Sequence, residues 1–244
     1  MGSLSDQGIS SVLVQAVDGR HAMPALNPGE SLHPERTLRY RRAPLTSSEV
    51  GCYLSHLRLI RKAFEQNAQN LFILEDDVRP EPGLAELVDQ LEHLPPHMHL
   101  VRLMGLKLRK RRVLQSLTKD FDLVRPTRGA LGTQGYVLNR QGMQKVLQAG
   151  GDIIYPIDKL YDSFFLYGLN CYSVEPHALE ETAGASSVQK HYNEQLPLRT
   201  HIGFHANKLH RSLRRRVNYL ANYREFAQAS KPLASIGKSA RLRD

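Results

Sequence analysis

Cysteine is scarce: the 244-residue chain has two, Cys52 and Cys171. Two thiols cannot build a metal cluster alone and give no sign of an oxidising compartment, so both read as reduced and buried. No apolar run reaches the roughly 18 residues that a membrane-crossing helix needs. No basic, apolar, small-residue order opens the chain, so no secretory leader is read there. The start MGSLSD has Asp6 where a myristoylation signal wants Ser or Thr. These absences point to the cytoplasm. The chain also lacks the Gly-Lys-Ser/Thr ending of a phosphate loop. It has no aromatic-interleaved basic motif either, so nucleic acid is not an expected partner.

Acid is in short supply as well, with 24 Asp and Glu against 33 Lys and Arg and a net charge of +9. Such a balance favours anionic partners. The excess is localised: from His205 to Asp244, ten Lys or Arg stand against Glu225 and Asp244. The reading is one α/β domain over residues 1–200 and a basic tail over 201–244. That tail suits either an anionic membrane surface, as in a peripheral inner-membrane protein, or a solvated appendage. An apolar fraction of 41 % suffices for a real core.

Pattern gives the elements. Residues 9–17 (ISSVLVQAV) read as a short strand before Asp18-Gly19, and 20–45, with four prolines, as a long loop. Ser47 or Ser48 caps a helix carrying Val50, Leu54, Leu57 and Phe64 on one face. Strands follow at 71–74, 99–106 and 121–125, with a helix from 82 to 94 and a basic loop or hairpin arm at 107–112. After GTQGYVLN come a helix at 140–150, another from Pro156, and a final strand at 170–176. This alternation predicts an α/β sheet with helices on both faces.

Against the basic background, LFILEDDVRP (71–80) sets Glu75, Asp76 and Asp77 in a row at the end of a strand. Ligands in open α/β sheets bind beyond the strands' carboxyl ends. Like charges there call for a hard cation such as Mg²⁺ or Mn²⁺, which prefers oxygen ligands and phosphate. The bland alternative is a solvated acidic turn. Glu49 sits in the first turn of its helix, where its charge complements the dipole. Ser55 and His56 follow, facing either a cleft or the core. Thr133, Gln134 and Gly135 offer small or hydrogen-bonding groups to a sugar, or form an ordinary turn. Asp158, after Pro-Ile, can cap a helix or act as a general base, with Asp162 one turn on.

The segments AVDGR (16–20), SEVGCYLSHLRLIRKA (48–63), LFILEDDV (71–78), GYVLNRQGMQKVL (135–147) and YPID (155–158) together resemble glycosyltransferase family 25. That family is the lipopolysaccharide-biosynthesis type and includes collagen galactosyltransferases. The resemblance implies a GT-A-like, Rossmann-type nucleotide-sugar fold, a UDP-sugar donor such as UDP-galactose, and inversion at the anomeric carbon. Carried onto this chain, Asp77 and Asp76 would bind Mn²⁺ or Mg²⁺. Glu75 would face the donor's ribose, and Asp158, backed by Asp162, would be the base. Glu49, Ser55, His56, Thr133, Gln134 and Gly135 would line the donor pocket. The acceptor would be lipopolysaccharide, lipooligosaccharide or another glycan. Family members open with an Ile-Asn-Leu-type strand that eleven residues ahead of VLVQAVDG do not match. The expectation is therefore a sheet without that strand, with an inactive, glycan- or partner-binding relative as the rival function.

Overall fold

The computed structural model describes residues 2–107, 109–182 and 196–223. In chain order the first elements are α1 (Gly2–Ser5), β1 (Ser31–Leu32), α2 (Pro34–Arg41), α3 (Ser47–Glu65) and β2 (Asn70–Leu74). Next come β3 (Val78–Pro80), α4 (Leu84–Glu92), β4 (Leu100–Arg102), β5 (Arg111–Ser116) and β6 (Asp122–Pro126). Then follow β7 (Gly135–Asn139), α5 (Arg140–Gly150), β8 (Asp152–Ile153), α6 (Ile157–Asp162) and a 3₁₀ turn (Phe164–Leu166). β9 (Cys171–Glu175), β10 (Leu179–Glu181) and α7 (Leu198–Ala221) complete the described residues.

Six strands form one sheet in the order β2-β7-β4-β9-β6-β5. Side chains alternate across it, as a pleat requires. Leu100, Tyr136 and Leu138 point to one face and pack with α3, α5 and α6. Val101, Leu103, Val137 and Val174 point to the other, under Leu84, Leu87 and Leu91 of α4. Helices thus cover both faces, as expected. The sheet is not the parallel one that a Rossmann-type reading implies: β4 with β9 is its one parallel pair, and the other neighbours run antiparallel.

Helix α3 carries the site, and its start is fixed chemically. The cap is Thr46, rather than Ser47 or Ser48: its hydroxyl accepts from the Glu49 N–H, and Glu49 answers on the Thr46 N–H. This reciprocal box satisfies two otherwise orphaned donors. Arg41 closes on Glu49 at 2.6 Å. Val50, Leu54, Leu57 and Ile60 then repeat on the buried side. Helix α2 lies inside the stretch read as loop; its signal is Pro34 in the first turn followed by Glu35.

Residues 9–17 form no strand. Val12, Leu13 and Val14 are exposed, and β2 is an edge of the sheet that this segment does not join. The chain crosses α3 instead, where the Val17 N–H donates to Ser55 Oγ (2.8 Å). That crossing is close because residue 51 has no side chain: a Cβ there would sit 2.8 Å from the Val17 carbonyl oxygen. Cys171 is buried as expected, but Cys52 is exposed. Helix α7 runs across the boundary drawn at residue 200 and packs on α2, while residues 224–244 of the basic tail lie outside the described residues.

Gly51→Ala is expected to force the 17–19 crossing off α3 and to cost about 1–3 kcal/mol, the usual range for overpacking. Urea unfolding of the variant against the parent chain measures it.

Candidate active site

The acids follow β2 directly. Glu75 extends the strand by one residue, its N–H donating to the Gln134 carbonyl (2.9 Å) across the approach to β7. The same approach supplies Thr133, whose hydroxyl donates to Glu75 Oε1 at 2.5 Å. From α3, His56 Nε2 stands 3.3 Å from that oxygen. Burial alone would raise the Glu75 pKa, yet the bonds from His56 and Thr133 hold it below its ordinary value. Behind His56, Nδ1 meets the Tyr136 hydroxyl at 2.9 Å, and Tyr136 meets the Tyr161 hydroxyl at 2.7 Å. Both phenols are buried, which pushes their pKa values up and keeps them protonated. A buried chain of hydrogen bonds thus runs from α6 through β7 and α3 to the end of β2.

Asp76 and Asp77 make the turn after Glu75. Asp76 is exposed. Asp77 is anchored by its backbone: its carbonyl accepts from the Thr182 N–H (2.8 Å) and hydroxyl (2.7 Å), next to the antiparallel β3–β10 ribbon. Its carboxylate is treated differently. Oδ1 is buried without a hydrogen-bond partner among the described residues. Burial first, and then the charge of Glu75, raise the Asp77 pKa. A half-buried carboxylate beside other acids, with one oxygen left unpartnered, is what a hard divalent cation stabilises. The residues therefore fit Mn²⁺ or Mg²⁺, which Asp77 would hold with the exposed Asp76 beside it.

On α6, Asp162 faces Arg102, buried in β4, at 2.8 Å. Arg102 Nη2 also donates to the Asp158 carbonyl at 3.4 Å. The backbone at Gly129 presses on the Asp162 carboxyl so closely that a Cβ there would overlap it. Asp162 is thus neutralised and enclosed. Asp158 caps nothing, because the helix begins after Pro156 without a side-chain cap. Its carboxylate lies 3.6 Å from Lys159 Nζ and is the freer of the two.

The structure brings Glu75, His56 and Thr133 into direct contact, with Asp76 and Asp77 adjoining. Three residues of the expected donor pocket have other work. Glu49 is committed to the start of α3 and to Arg41, and Ser55 bridges Val17 to Gly51. The bare face of Gly135 is filled by Leu179 and Leu74, which leaves a sugar no approach there. The Gln134 side-chain oxygen is buried and unpartnered among the described residues.

Sequence reasoning passed over four participants. Tyr136 and Tyr161 look like ordinary core aromatics, and Arg102 hides in an apolar strand. Cys52 precedes His56 by one helical turn, the signal that was available. Its sulfur, a His56 nitrogen and a Glu75 oxygen all lie within 4.8 Å of one another. Crowding around the thiol, followed by the charges of Glu75, Asp158 and Asp77, pushes the Cys52 pKa up to about 12.

A sequence model of the family described as "Glycosyltransferase family 25 (LPS biosynthesis protein)" matches residues 2–161. Procollagen galactosyltransferase 1 of Danio rerio is 28 % identical over 153 residues, 60 % of this chain and 25 % of that protein. Procollagen galactosyltransferase 2 of Homo sapiens is 28 % identical over 157 residues, 60 % of this chain and 24 % of that protein. A protein of Rattus norvegicus named "Probable inactive glycosyltransferase 25 family member 3" is 32 % identical over 93 residues, 37 % of this chain and 16 % of that protein. The chain thus spans about a quarter of the length of the two galactosyltransferases it matches. With the family match extending over 2–161, the chain belongs to glycosyltransferase family 25.

Proposed function

We propose that this domain transfers a hexosyl group, galactose by its similarity to the procollagen galactosyltransferases, from a UDP-sugar to a glycan acceptor such as lipopolysaccharide or lipooligosaccharide. The reading takes the fold as GT-A-like and the transfer as inverting. The observation that carries it is the contrast at the end of β2. Glu75 Oε1 is met by both Thr133 and His56, while Asp77 two residues on is half-buried with its Oδ1 unpartnered among the described residues. A bound Mn²⁺ or Mg²⁺ would act as a Lewis acid toward the charge on the leaving diphosphate.

The chain's own residues do the rest. Thr133 and His56 fix the Glu75 carboxylate, so it can accept from a donor hydroxyl without rearranging. Asp158 takes the acceptor proton, because Asp162 is held by Arg102 and would have to leave that pair to do so. The enclosed Arg102–Asp162 pair, together with relatives named inactive, favours one second reading: a domain that binds donor or glycan without transferring.

Asp77→Asn is expected to abolish Mn²⁺-dependent binding of UDP-galactose in calorimetry while the unfolding temperature without metal stays within a few degrees. Undiminished binding in the variant removes Asp77 from the site. For the parent chain the metal affinity should rise with pH. Protons hold the Asp77 carboxylate up to a higher pH than an ordinary aspartate, so binding weakens as pH falls through that raised value.

The two α6 aspartates separate by kind of effect. Asp158→Asn should lower transfer by about 10²–10⁴, the usual worth of a general base, with donor binding kept. Asp162→Asn leaves the buried Arg102 without a counter-charge and should cost about 3–5 kcal/mol of stability. Binding without any transfer in the parent chain selects the second reading.

A further inference from the structure

Helix α7 lies beyond the residues 2–161 that carry the family match. One side of it is docked. Arg211 donates to Ser163 Oγ (2.8 Å) and lies over the Tyr40 ring (4.8 Å), while Phe204 sits under Arg42 (4.1 Å). The opposite side carries a second apolar stripe. At 3.6 residues per turn, Leu198, Ile202, Leu209, Leu213, Val217 and Leu220 fall within an arc of about 100°. All six are between 50 % and 75 % exposed. The helix has six Lys or Arg, three His and no Asp or Glu.

At the C-terminal end of the stripe, Arg215, Arg216, Tyr219 and Leu220 meet Thr127 and Arg128 around a surface cavity of about 330 Å³. Among the described residues no carboxylate lines it. Among the described residues none of Arg128, Arg215 and Arg216 forms an ion pair. Burial and the neighbouring guanidinium groups of Arg128, Arg211 and Arg216 depress the Arg215 pKa, a measure of uncompensated positive charge. Three guanidinium groups around one cavity match the oxygens of a phosphate monoester or diester.

We infer that α7 is a membrane-docking face: the Leu198–Leu220 stripe enters the headgroup–acyl boundary of an anionic bilayer while Arg128, Arg215 and Arg216 hold a lipid phosphate. Each half requires the other. A soluble phosphate ligand would leave the stripe in water, and an exposed apolar stripe of this kind marks a binding surface. A second copy of the chain would bring one acid-free basic helix against another, which like charge opposes. An anionic bilayer offers apolar interior and negative headgroups together. Arg128 is also the residue before Gly129, which lies against Asp162. Docking would therefore place the candidate cleft near the lipid surface, where a glycolipid acceptor is displayed.

The test is co-sedimentation of the full chain with phosphatidylcholine vesicles, with and without phosphatidylglycerol. The expected result is binding only to the anionic vesicles, weakening as salt rises. Replacing Arg128, Arg215 and Arg216 together with Gln should reduce it about 100-fold, each charge at the surface being worth about fivefold. Leu209→Gln, Leu213→Gln and Val217→Gln together should also reduce it, while circular dichroism shows the helix retained. Several outcomes overturn the proposal: equal binding to neutral vesicles, no vesicle binding, or indifference to the apolar replacements. So does thermal stabilisation by inorganic phosphate in a chain that ignores vesicles, and so does a dimer that the apolar replacements dissolve. None of these readouts involves sugar transfer, so failure here leaves the proposed activity standing.

Discussion

The arrangement depends on one carboxylate. Glu75 is where the sheet, α3 and the approach to β7 converge, and its oxygen is held by Thr133 and faced by His56. His56 is in turn positioned by Tyr136, and Tyr136 by Tyr161. Four elements separated in sequence are thereby tied by polar contacts inside a largely apolar interior. Such contacts are strong because the surroundings are poor in water, and costly if any one partner is missing. This explains why α3 carries a buried His56 among residues that otherwise follow the core period.

Satisfying Glu75 has a consequence for its neighbour. Once its charge is fixed by donors, Asp77 must live beside that negative charge with its own Oδ1 unpartnered among the described residues. Two acids two residues apart are thus driven in opposite directions by their surroundings, the pattern expected where carboxylates take different roles. The same logic divides the α6 pair. Arg102 is spent on Asp162, and Asp158 keeps the freer carboxylate. In both pairs one acid is held in place by protein donors and the other keeps a freer carboxylate oxygen.

What was legible in the chain follows from what is local. The α3 and α5 periods, the strand before the acids and the acids' place at its end all rest on short-range patterns, and each is found in the structure. Strand direction is not local. Whether β7 runs with or against β2 is decided by pairings between residues about 65 positions apart, so a parallel sheet could not be told from the mixed one. The apolar run at 9–17 has strand character, but a strand needs a partner, and here the backbone is taken by α3. Glu49 and Ser55 share a helix with the site residues and yet serve the helix start and the 9–17 crossing. Spacing along a helix says which residues share a face but not which groups already hold their hydrogen bonds. Arg102 shows the converse. A lone arginine in LVR has no visible function until the fold lays Asp162 over it.

Net charge also needed the fold to be interpreted. A chain at +9 suggests a surface attractive to anions everywhere, but several acids of the domain are paired with arginines and at two places one sign stands by itself. Glu75, Asp76 and Asp77 gather beyond β2, with Glu181 close enough to act on Asp77, so an anionic ligand would be repelled there unless a cation came with it. The guanidinium groups of α7 have no acids on their own helix, and they surround a cavity that holds none among the described residues. Uniform positive charge would pull any phosphate toward the nearest lysine and blur the distinction between substrate and surface. On the two proposals made above, segregated charge would let the acidic turn select anions that arrive with a divalent metal, while the basic helix would select anions fixed in a plane. Because salt screens exposed charge far more than buried charge, these two selections should respond differently to ionic strength. If both proposals hold, the partly enclosed Asp77 would keep its preference for a metal-borne anion at salt concentrations that weaken docking through α7.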